Sequence, residues 1–298
     1  MEKEIKKIKT PLGERIFNVV NVIIMIGMIV ITLYPFLYIV FASFSDSNQM
    51  MAHTGLLLKP LGFNLNSYAA VFKNDNILTG YKNTLCILVF GVAINLVLTF
   101  LGAYVLSRKD IMLKKPMTIF IIITMFVSGG MIPAYQLVMS LGIDNSYWSL
   151  MLPGAINTFN LIIMRTNFEG IPDSIGESAK IDGANDMVLL FKIILPLSLP
   201  IIAVIGLYYA VGIWNSWFGA MLYIRDRELY PLQLFLREIL IENEAGDMAN
   251  ATDVGNKQAV TETIKYAVIM VSTLPILVLY PFLQKYFVKG TMAGAVKG

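Results

Sequence analysis

Apolar residues along the chain gather in six long runs, and polar segments separate the runs. None of the six contains Lys, Arg, Asp, Glu or His. The hydrocarbon core of a bilayer is about 30 Å thick, so a helix needs roughly 20 apolar residues to cross it. The pattern therefore predicts an all-α integral membrane protein with six transmembrane helices. The predicted helices are Ile16–Phe44, Thr84–Leu106, Met117–Val138, Tyr147–Met164, Leu195–Tyr223 and Tyr266–Leu283.

Composition supports this class and excludes others. The chain is 56% hydrophobic and 14% charged, with a mean hydropathy of +0.67, whereas soluble domains carry about 25% charged residues. Cys86 is the one cysteine and His53 the one histidine, so we predict neither an intrachain disulfide nor a metal site. The net charge of +3 is small, and we expect no nucleic-acid partner.

Motifs for catalysis are missing from the sequence. It contains no Gly-x-x-x-x-Gly-Lys-Ser/Thr phosphate-binding loop, no Gly-x-Ser-x-Gly elbow and no His-Glu-x-x-His pair. A membrane-embedded enzyme would also need a polar catalytic pair at the membrane surface, and none is evident. We therefore expect a protein that is not an enzyme and that binds no cofactor itself.

The distribution of positive charge predicts the orientation. Cytoplasmic segments are enriched in Lys and Arg, and one orientation places 15 of the 23 Lys and Arg residues inside. Both termini are then cytoplasmic, residues 1–15 form a cytoplasmic N-terminal segment, and residues 16–298 form the membrane domain. The first span is an uncleaved signal anchor. This topology gives outer loops at 45–83 and 224–265, a cytoplasmic loop at 165–194 and a cytoplasmic tail at 284–298.

Charge-free spans bear on the source of energy. Ion-coupled carriers usually place Asp, Glu or His within the bilayer, so an ion-coupled secondary carrier is the weaker of two transporter hypotheses. Gly129, Gly130 and several prolines interrupt the spans, which indicates either tight helix packing or a water-filled pathway. In the second outer loop, the apolar spacing from Leu232 to Leu240 predicts either an amphipathic helix at the interface or a simple covering segment.

The loop at 165–194 predicts two short helices joined by a turn. Pro172 and Asp173 favour a helix start, and Ser174 with Glu177 fits a capping box. Gly183 is placed to end that helix. Asn185 or Asp186 is placed to cap the next helix. These features alone are equally consistent with a plain connector.

The same loop resembles a known motif. Glu177-Ser178-Ala179 is followed after six positions by Gly183, and Ile193-x-Leu195-Pro196 begins ten positions later. This order and spacing resemble the EAA motif of binding-protein-dependent ABC importer permeases, with Ser178 in place of the first alanine. Segments 128–133, 214–218, 230–234 and 284–290 resemble the oligosaccharide permeases of the maltose-permease kind, so the likeness covers nearly the whole chain.

The resemblance implies a type I importer permease that works with several partners. These are a second permease subunit forming a heterodimer, two ATPase subunits that carry ATP and Mg, and an extracellular solute-binding protein that delivers an oligosaccharide. It implies cell-membrane localisation and sugar import. It also implies that a coupling helix contacts an ATPase subunit through Glu177, Ser178, Ala179, Asp182, Gly183, Ala184 and Pro196. Tail residues Gln284, Lys297 and Gly298 would reach between the ATPase subunits.

Candidates for contact with substrate are polar and aromatic residues of the spans, since sugars bind through stacking and hydrogen bonds. They are Tyr104, Tyr135, Asn157, Trp214, Asn215 and Trp217. Aromatic residues near helix ends also serve as interfacial anchors, so that alternative stays open. A permease for a non-sugar solute is the alternative within the same family.

Overall fold

The fold is known from a computed structural model, which describes residues 11–249 and 263–278, without the side chains of 242–249. Helices account for all regular structure in these ranges. The helices are α1 Leu12–Ser43, α2 Ser47–Ala52, α3 Asn66–Phe72, α4 Asp75–Ser107, α5 Lys114–Phe126, α6 Met131–Ser140, α7 Trp148–Met151, α8 Thr158–Glu169, α9 Asp173–Ile181, α10 Asp186–Val188, α11 Leu195–Leu197, α12 Leu199–Trp214, α13 Phe218–Tyr223, α14 Leu232–Ala249 and α15 Thr263–Val278. A π-helical stretch, Leu189–Ile194, joins α10 to α11, and a 3₁₀ turn covers Arg227–Leu229.

Among the described residues, two helices are long and apolar enough to cross a membrane by themselves. They are α1 with 32 residues and α4 with 33. Apolar side chains on α1 are exposed from Leu12 to Leu37, and the most apolar 18-residue window of the helix is unburied. Water would disfavour so much exposed apolar surface, whereas lipid would not. The all-α membrane class predicted from the apolar runs is confirmed.

Other predicted spans are bent or broken. Helices α5 and α6 meet at 113°, and the π-containing arm Asp186–Leu197 meets α12 at 77°. Counting each bent pair as one span gives up to four spans in the described part of the chain, and α15 is a shorter apolar helix, so the count of six stays a prediction. The predicted span Tyr147–Met164 is not one continuous helix. Pro153 and Gly154 interrupt it, and α8 restarts at the cap residue Asn157.

One compact unit comprises residues 72–244 and 271–298 as far as they are described. Its core lies where α4 packs on α8 and α12. Side chains from the three helices are buried there together with Leu190. The cluster contains Phe100, Ala103, Leu106, Leu161, Met164, Phe168, Ile205 and Tyr209. This core supports both the break between α7 and α8 and the bend before α12.

Hydrogen bonds hold the start of α14 against α4 within this unit. Asn83 donates from Nδ2 to the carbonyl oxygens of Glu228 and Tyr230, at 2.7 and 2.9 Å. The backbone N–H of Leu232 donates to Thr84 Oγ1 at 2.8 Å. The amphipathic spacing predicted a helix here, and the helix is present, while its location at the membrane interface stays a prediction. Leu234 and other apolar side chains of this helix pack inside the protein.

A second unit comprises residues 1–71 and 245–270 as far as they are described. Ala42, Met50 and Leu57 form its small core, with Tyr38 and Tyr266 packed against them. In this unit Thr263 exchanges hydrogen bonds with Ser47 and Ser67 at 2.6 and 2.9 Å. The first outer loop, predicted at 45–83, is therefore largely helical, because α2, α3 and the start of α4 lie within it.

Candidate functional site

The predicted helix in the loop at 165–194 is present, but its start differs from the prediction. Helix α9 begins at Asp173 after Pro172, whose ψ of 133° is extended, and no described side chain caps its first turn. The capping box of Ser174 with Glu177 is therefore wrong. Pro172 takes the cap position, so Ser174 already lies inside the helix. The Asp173 carboxylate stands in the first turn, where the helix dipole favours negative charge.

The turn after α9 has the predicted glycine. Gly183 has φ +82°, a conformation that glycine adopts without a steric penalty. The N–H of Gly183 donates to Lys180 O at 3.0 Å, and that of Ala184 donates to Ala179 O at 2.9 Å. This bond pair is a Schellman motif. Asn185 then caps α10 by accepting from Val188 N at 2.8 Å, so the helix–turn–helix prediction is confirmed.

Most of the predicted coupling residues share one exposed surface at the end of α9. Glu177, Ser178, Asp182 and Gly183 are exposed, and Ala184 is half-buried. Ala179 is 7% exposed and anchors the helix to the protein instead. Pro196 is exposed but lies in α11, at the other end of the arm that follows.

A network of ion pairs holds this helical hairpin against neighbouring segments. Lys109 Nζ pairs with Asp173 at 2.5 Å, and the Arg108 guanidinium pairs with Asp110 at 3.1 Å and with Asp186 at 3.6 Å. A hydrogen bond from Arg108 holds the pKa of the Asp110 carboxyl below its usual value. The segment between α4 and α5 is thus tied to both arms of the hairpin.

A second cluster of ion pairs links the end of α8 to α5. Glu169 Oε1 accepts from Lys114 Nζ at 2.8 Å and from Arg165 at 2.9 Å. Burial alone would raise the pKa of the Glu169 carboxyl, but these two hydrogen bonds outweigh burial and lower it. The three side chains are between 18% and 34% exposed, so solvent screens them only in part.

Of the predicted substrate contacts, Asn157 alone lines the polar pocket described next. This pocket of about 240 Å³ lies between α4, the α7–α8 break and α12. Its lining includes Thr84, Asn95, Asn157, Asn160, Tyr208, Tyr209 and Ser216, and no charged residue. Asn157 also caps α8, because its Oδ1 accepts from Asn160 N at 3.1 Å.

The other predicted contacts lie elsewhere. Tyr104 lines a separate groove beside α9, and Tyr135 stacks on Tyr223 with ring centroids 6.1 Å apart. Trp214 is buried and donates to Ser272 O at 3.1 Å. The Asn215 side chain donates a hydrogen bond from Nδ2 to the backbone carbonyl oxygen of Val211 at 3.0 Å.

Trp217 is occupied by a different partner, because the Arg237 guanidinium lies 4.3 Å from its ring centroid. The tail residues Gln284, Lys297 and Gly298 lie outside the described residues.

Sequence reasoning missed three notable residues. Asn95 is a buried polar residue at the middle of the predicted span Thr84–Leu106, and its amide in an apolar run was the available signal. Tyr209 is buried and shares a 2.6 Å hydrogen bond with Thr99. Ile181 is 86% exposed at the end of α9, among the predicted coupling residues.

Comparisons with known proteins agree with this architecture. The chain is 42% identical over 285 residues to the polygalacturonan/rhamnogalacturonan transport system permease protein YtcP of Bacillus subtilis (strain 168), covering 95% of this chain and 99% of that protein. It is also 42% identical to protein LplC of the same organism over 284 residues, with 95% and 96% covered. The chain belongs to the sugar permease family of ABC importers. No protein-family model matches the chain.

A solved structure supports the fold of this permease. It is a chain from a bacterial ABC transporter involved in the import of the acidic polysaccharide alginate, with a TM-score of 0.85 and 32% identity. The match covers 94% of this chain and 100% of the other. The family predicted from the loop at 177–196 is therefore confirmed, and the permease is an integral membrane protein. The roles of individual coupling residues stay predictions.

Proposed function

We propose that this permease is the membrane subunit of an ATP-driven importer of oligosaccharides, and that α9 with its Schellman turn is its coupling element. The exposed end of α9 is the observation that carries the proposal. It presents Glu177, Ser178, Ile181 and Asp182 on a helix that starts close behind α8 and leads, through α10 and α11, into α12. A rigid element rooted in two membrane helices can transmit a movement below the membrane to the pathway inside it.

The proposed machine has the partners that the family resemblance implies. A second permease subunit completes the pathway, two ATPase subunits bind beneath it, and a solute-binding protein docks outside. ATP with Mg binds to the ATPase subunits, and this chain hydrolyses nothing itself. ATP binding shifts the population between inward-open and outward-open states, provided that the ATPase contacts with α9 differ between them.

Orientation follows from the same proposal. The hairpin, both termini and the ion pairs around Arg108 lie on the cytoplasmic side, and the permease crosses the cell membrane several times. Ion pairs of both charge signs hold α9 in position against the segment between α4 and α5. The tail would reach the ATPase subunits next to this surface.

Oligosaccharides from acidic polysaccharides are the first substrates to examine. The relative YtcP is named for polygalacturonan and rhamnogalacturonan, and the structural neighbour for alginate. The polar pocket supports a pathway for hydroxyl-rich solutes, because irregular backbone and amides at membrane depth are tolerated where they line a cavity.

The coupling role is tested in the complete transporter, reconstituted with its partners in lipid vesicles. Glu177→Ala and Gly183→Pro should each lower sugar uptake at least about ten-fold, while ATP hydrolysis loses its dependence on the binding protein. Ser174→Ala is the matched control, since Ser174 is exposed on the same helix and caps nothing. Unchanged uptake in both variants would remove α9 from the coupling path.

Substrate class and energy source need separate measurements. Uptake of short oligogalacturonates, maltotriose and a dipeptide should be compared in the same vesicles, and the first should be preferred. ATP hydrolysis by the permease purified alone should equal the background rate. Preference for the dipeptide, or hydrolysis by the lone chain, would overturn the proposal.

A further inference from the structure

The polar pocket lies within the unit that contains α4, α8 and α12. It is lined from α4, from the break between α7 and α8, and from α12. Gly154, Asn157, Tyr208 and Ser216 are exposed at the surface of the chain, whereas Asn95 is buried. The pocket therefore runs from an open polar side inward to Asn95. In secondary transporters, binding sites commonly lie near the bilayer midplane beside interrupted helices, and this pocket also lies beside a helix break.

Asn95 is the group that lacks a protein partner there. Its side chain is 4% exposed, and its Oδ1 accepts no hydrogen bond from any described residue. Leaving a buried acceptor unsatisfied costs about 1–3 kcal/mol. The residue stands at the midpoint of the predicted span Thr84–Leu106, where no lipid group can donate a hydrogen bond.

Neighbouring polar groups are already satisfied by each other. The Tyr209 hydroxyl shares a 2.6 Å hydrogen bond with Thr99 Oγ1 and accepts from the backbone N–H of Asn157 at 3.0 Å. Asn157 Oδ1 in turn accepts from Asn160 N. This chain of bonds fixes the wall of the pocket, so the acceptor on Asn95 is left for a ligand.

The chemistry of the lining selects the ligand class. The lining combines amides, hydroxyls and two tyrosine rings with apolar side chains such as Ile87 and Met151, and none of its residues is charged. Neutral donors such as ring hydroxyls therefore fit better than carboxylates or ammonium groups. A volume of about 240 Å³ is somewhat below the range of about 300–1,000 Å³ typical of ligand pockets, so the pocket has room for one sugar ring.

We propose that this pocket binds one sugar ring during transport, with Asn95 Oδ1 accepting a hydrogen bond from a ring hydroxyl. The pocket is thus a sugar site within this subunit, and a uronate ring bound there would keep its carboxylate at the open side of the pocket. This inference rests on the proposed import of oligosaccharides. A pocket that holds only water is the competing explanation, since water also satisfies buried acceptors.

Protection of a cysteine in the pocket tests the inference in the complete transporter. The variant Ser216→Cys is made with Cys86→Ser, and a membrane-impermeant methanethiosulfonate reagent is added. Modification is measured by the intact mass of this chain. Short oligogalacturonates, given with binding protein and ATP, should slow modification about five- to ten-fold. Adding Asn95→Leu should abolish the protection, and Asn95→Ser, which keeps an oxygen acceptor, should restore part of it.

Control variants separate the possible outcomes. Val97→Ala lies on the same helix with a side chain that is 56% exposed, and it should leave the protection unchanged. A thiol that is never modified would mean a dry pocket, and equal modification with and without sugar would mean a water-only pocket. Protection that survives both Asn95 substitutions would remove Asn95 from the site. Each of these results overturns the inference.

Uptake by the Cys86→Ser transporter is measured in parallel. If oligosaccharide is taken up but does not slow modification of the cysteine at position 216, the pocket is not a sugar site, and the proposed import function stands. Absence of uptake for every oligosaccharide rejects the proposed function, and the sugar site with it.

Discussion

Among single residues, Gly183 has the backbone conformation that ends α9. Replacing it by Ala places a Cβ at φ +82°, and the surrounding space is open, so the cost is backbone strain of about 1 kcal/mol. We expect Gly183→Ala to lower the melting temperature of the detergent-solubilised permease by about 2–4 °C, measured by thermal unfolding. Gly176→Ala in the same helix is the control, because Gly176 has ordinary φ and a Cβ would meet only Leu189 at 4.0 Å. Gly176→Ala should raise the melting temperature, because alanine favours the helix more than glycine does. If both variants lower the melting temperature by the same amount, backbone strain at Gly183 is not the cause.

Glu169 gives a prediction about pH at the same scale. Its pKa is lowered in the folded protein by Lys114 and Arg165. A lowered carboxyl pKa contributes stability above the ordinary value, and this contribution is lost as pH falls through the lowered value. Glu169→Gln should therefore cost about 1 kcal/mol at pH 7, and the difference from the unsubstituted protein should vanish in strong acid. Melting curves across the acid range test this, and a constant difference would contradict it.

Contact between elements depends on Gly80, where α4 meets the start of α14. A Cβ on Gly80 would stand 2.9 Å from Leu232 Cα, which is backbone and cannot move aside. We expect Gly80→Ala to destabilise by about 1–3 kcal/mol, read as a lower melting temperature. At Gly91 the obstacle is the end of a flexible side chain, Ile213 Cδ1 at 3.0 Å. Gly91→Ala should therefore cost less than Gly80→Ala, and the reverse order would refute the close packing.

Elements differ in how far the sequence determines them. The apolar runs predicted α1 and α4 because continuous apolar surface needs a lipid environment, and the prolines within the spans indicated interruptions. The bends of 113° and 77° depend on packing between helices, which no local pattern encodes. The capping box failed because Pro172 moves the helix start one residue before Ser174.

The candidate sites likewise differ in how far the sequence determines them. The helical hairpin at 173–188 could be predicted, since each of its turns depends on neighbouring residues. The pocket could not, because α4, α8 and α12 bring its residues together from distant parts of the chain. The unpaired state of Asn95 depends on which donors are missing around it, and the sequence does not state that.

For the whole molecule, the bent pair α5–α6 decides the number of spans. If the pair crosses the membrane once, its outer ends lie on opposite sides. Met112 is 94% exposed before α5, and Leu141 is 62% exposed after α6. With Cys86→Ser, we expect Met112→Cys to react with an impermeant thiol reagent only in inside-out vesicles. Leu141→Cys should react only in right-side-out vesicles. Reaction of both from one side would make the pair a re-entrant loop and exclude six spans.

The arm Asp186–Leu197 meets α12 at 77°, and its first residue follows the turn at Gly183. Twelve residues at 1.5 Å each make a lever about 18 Å long, with its pivot near the buried Ser198. A rotation of about 10° at the pivot moves the far end by about 3 Å, and the same rotation acts directly on the first turn of α12. If α9 is the coupling element, a displacement at the α10 end of the arm becomes a rotation of α12, whose residues from Tyr208 onwards line the pocket. The bend would then act as a lever arm, which a straight helix would lack.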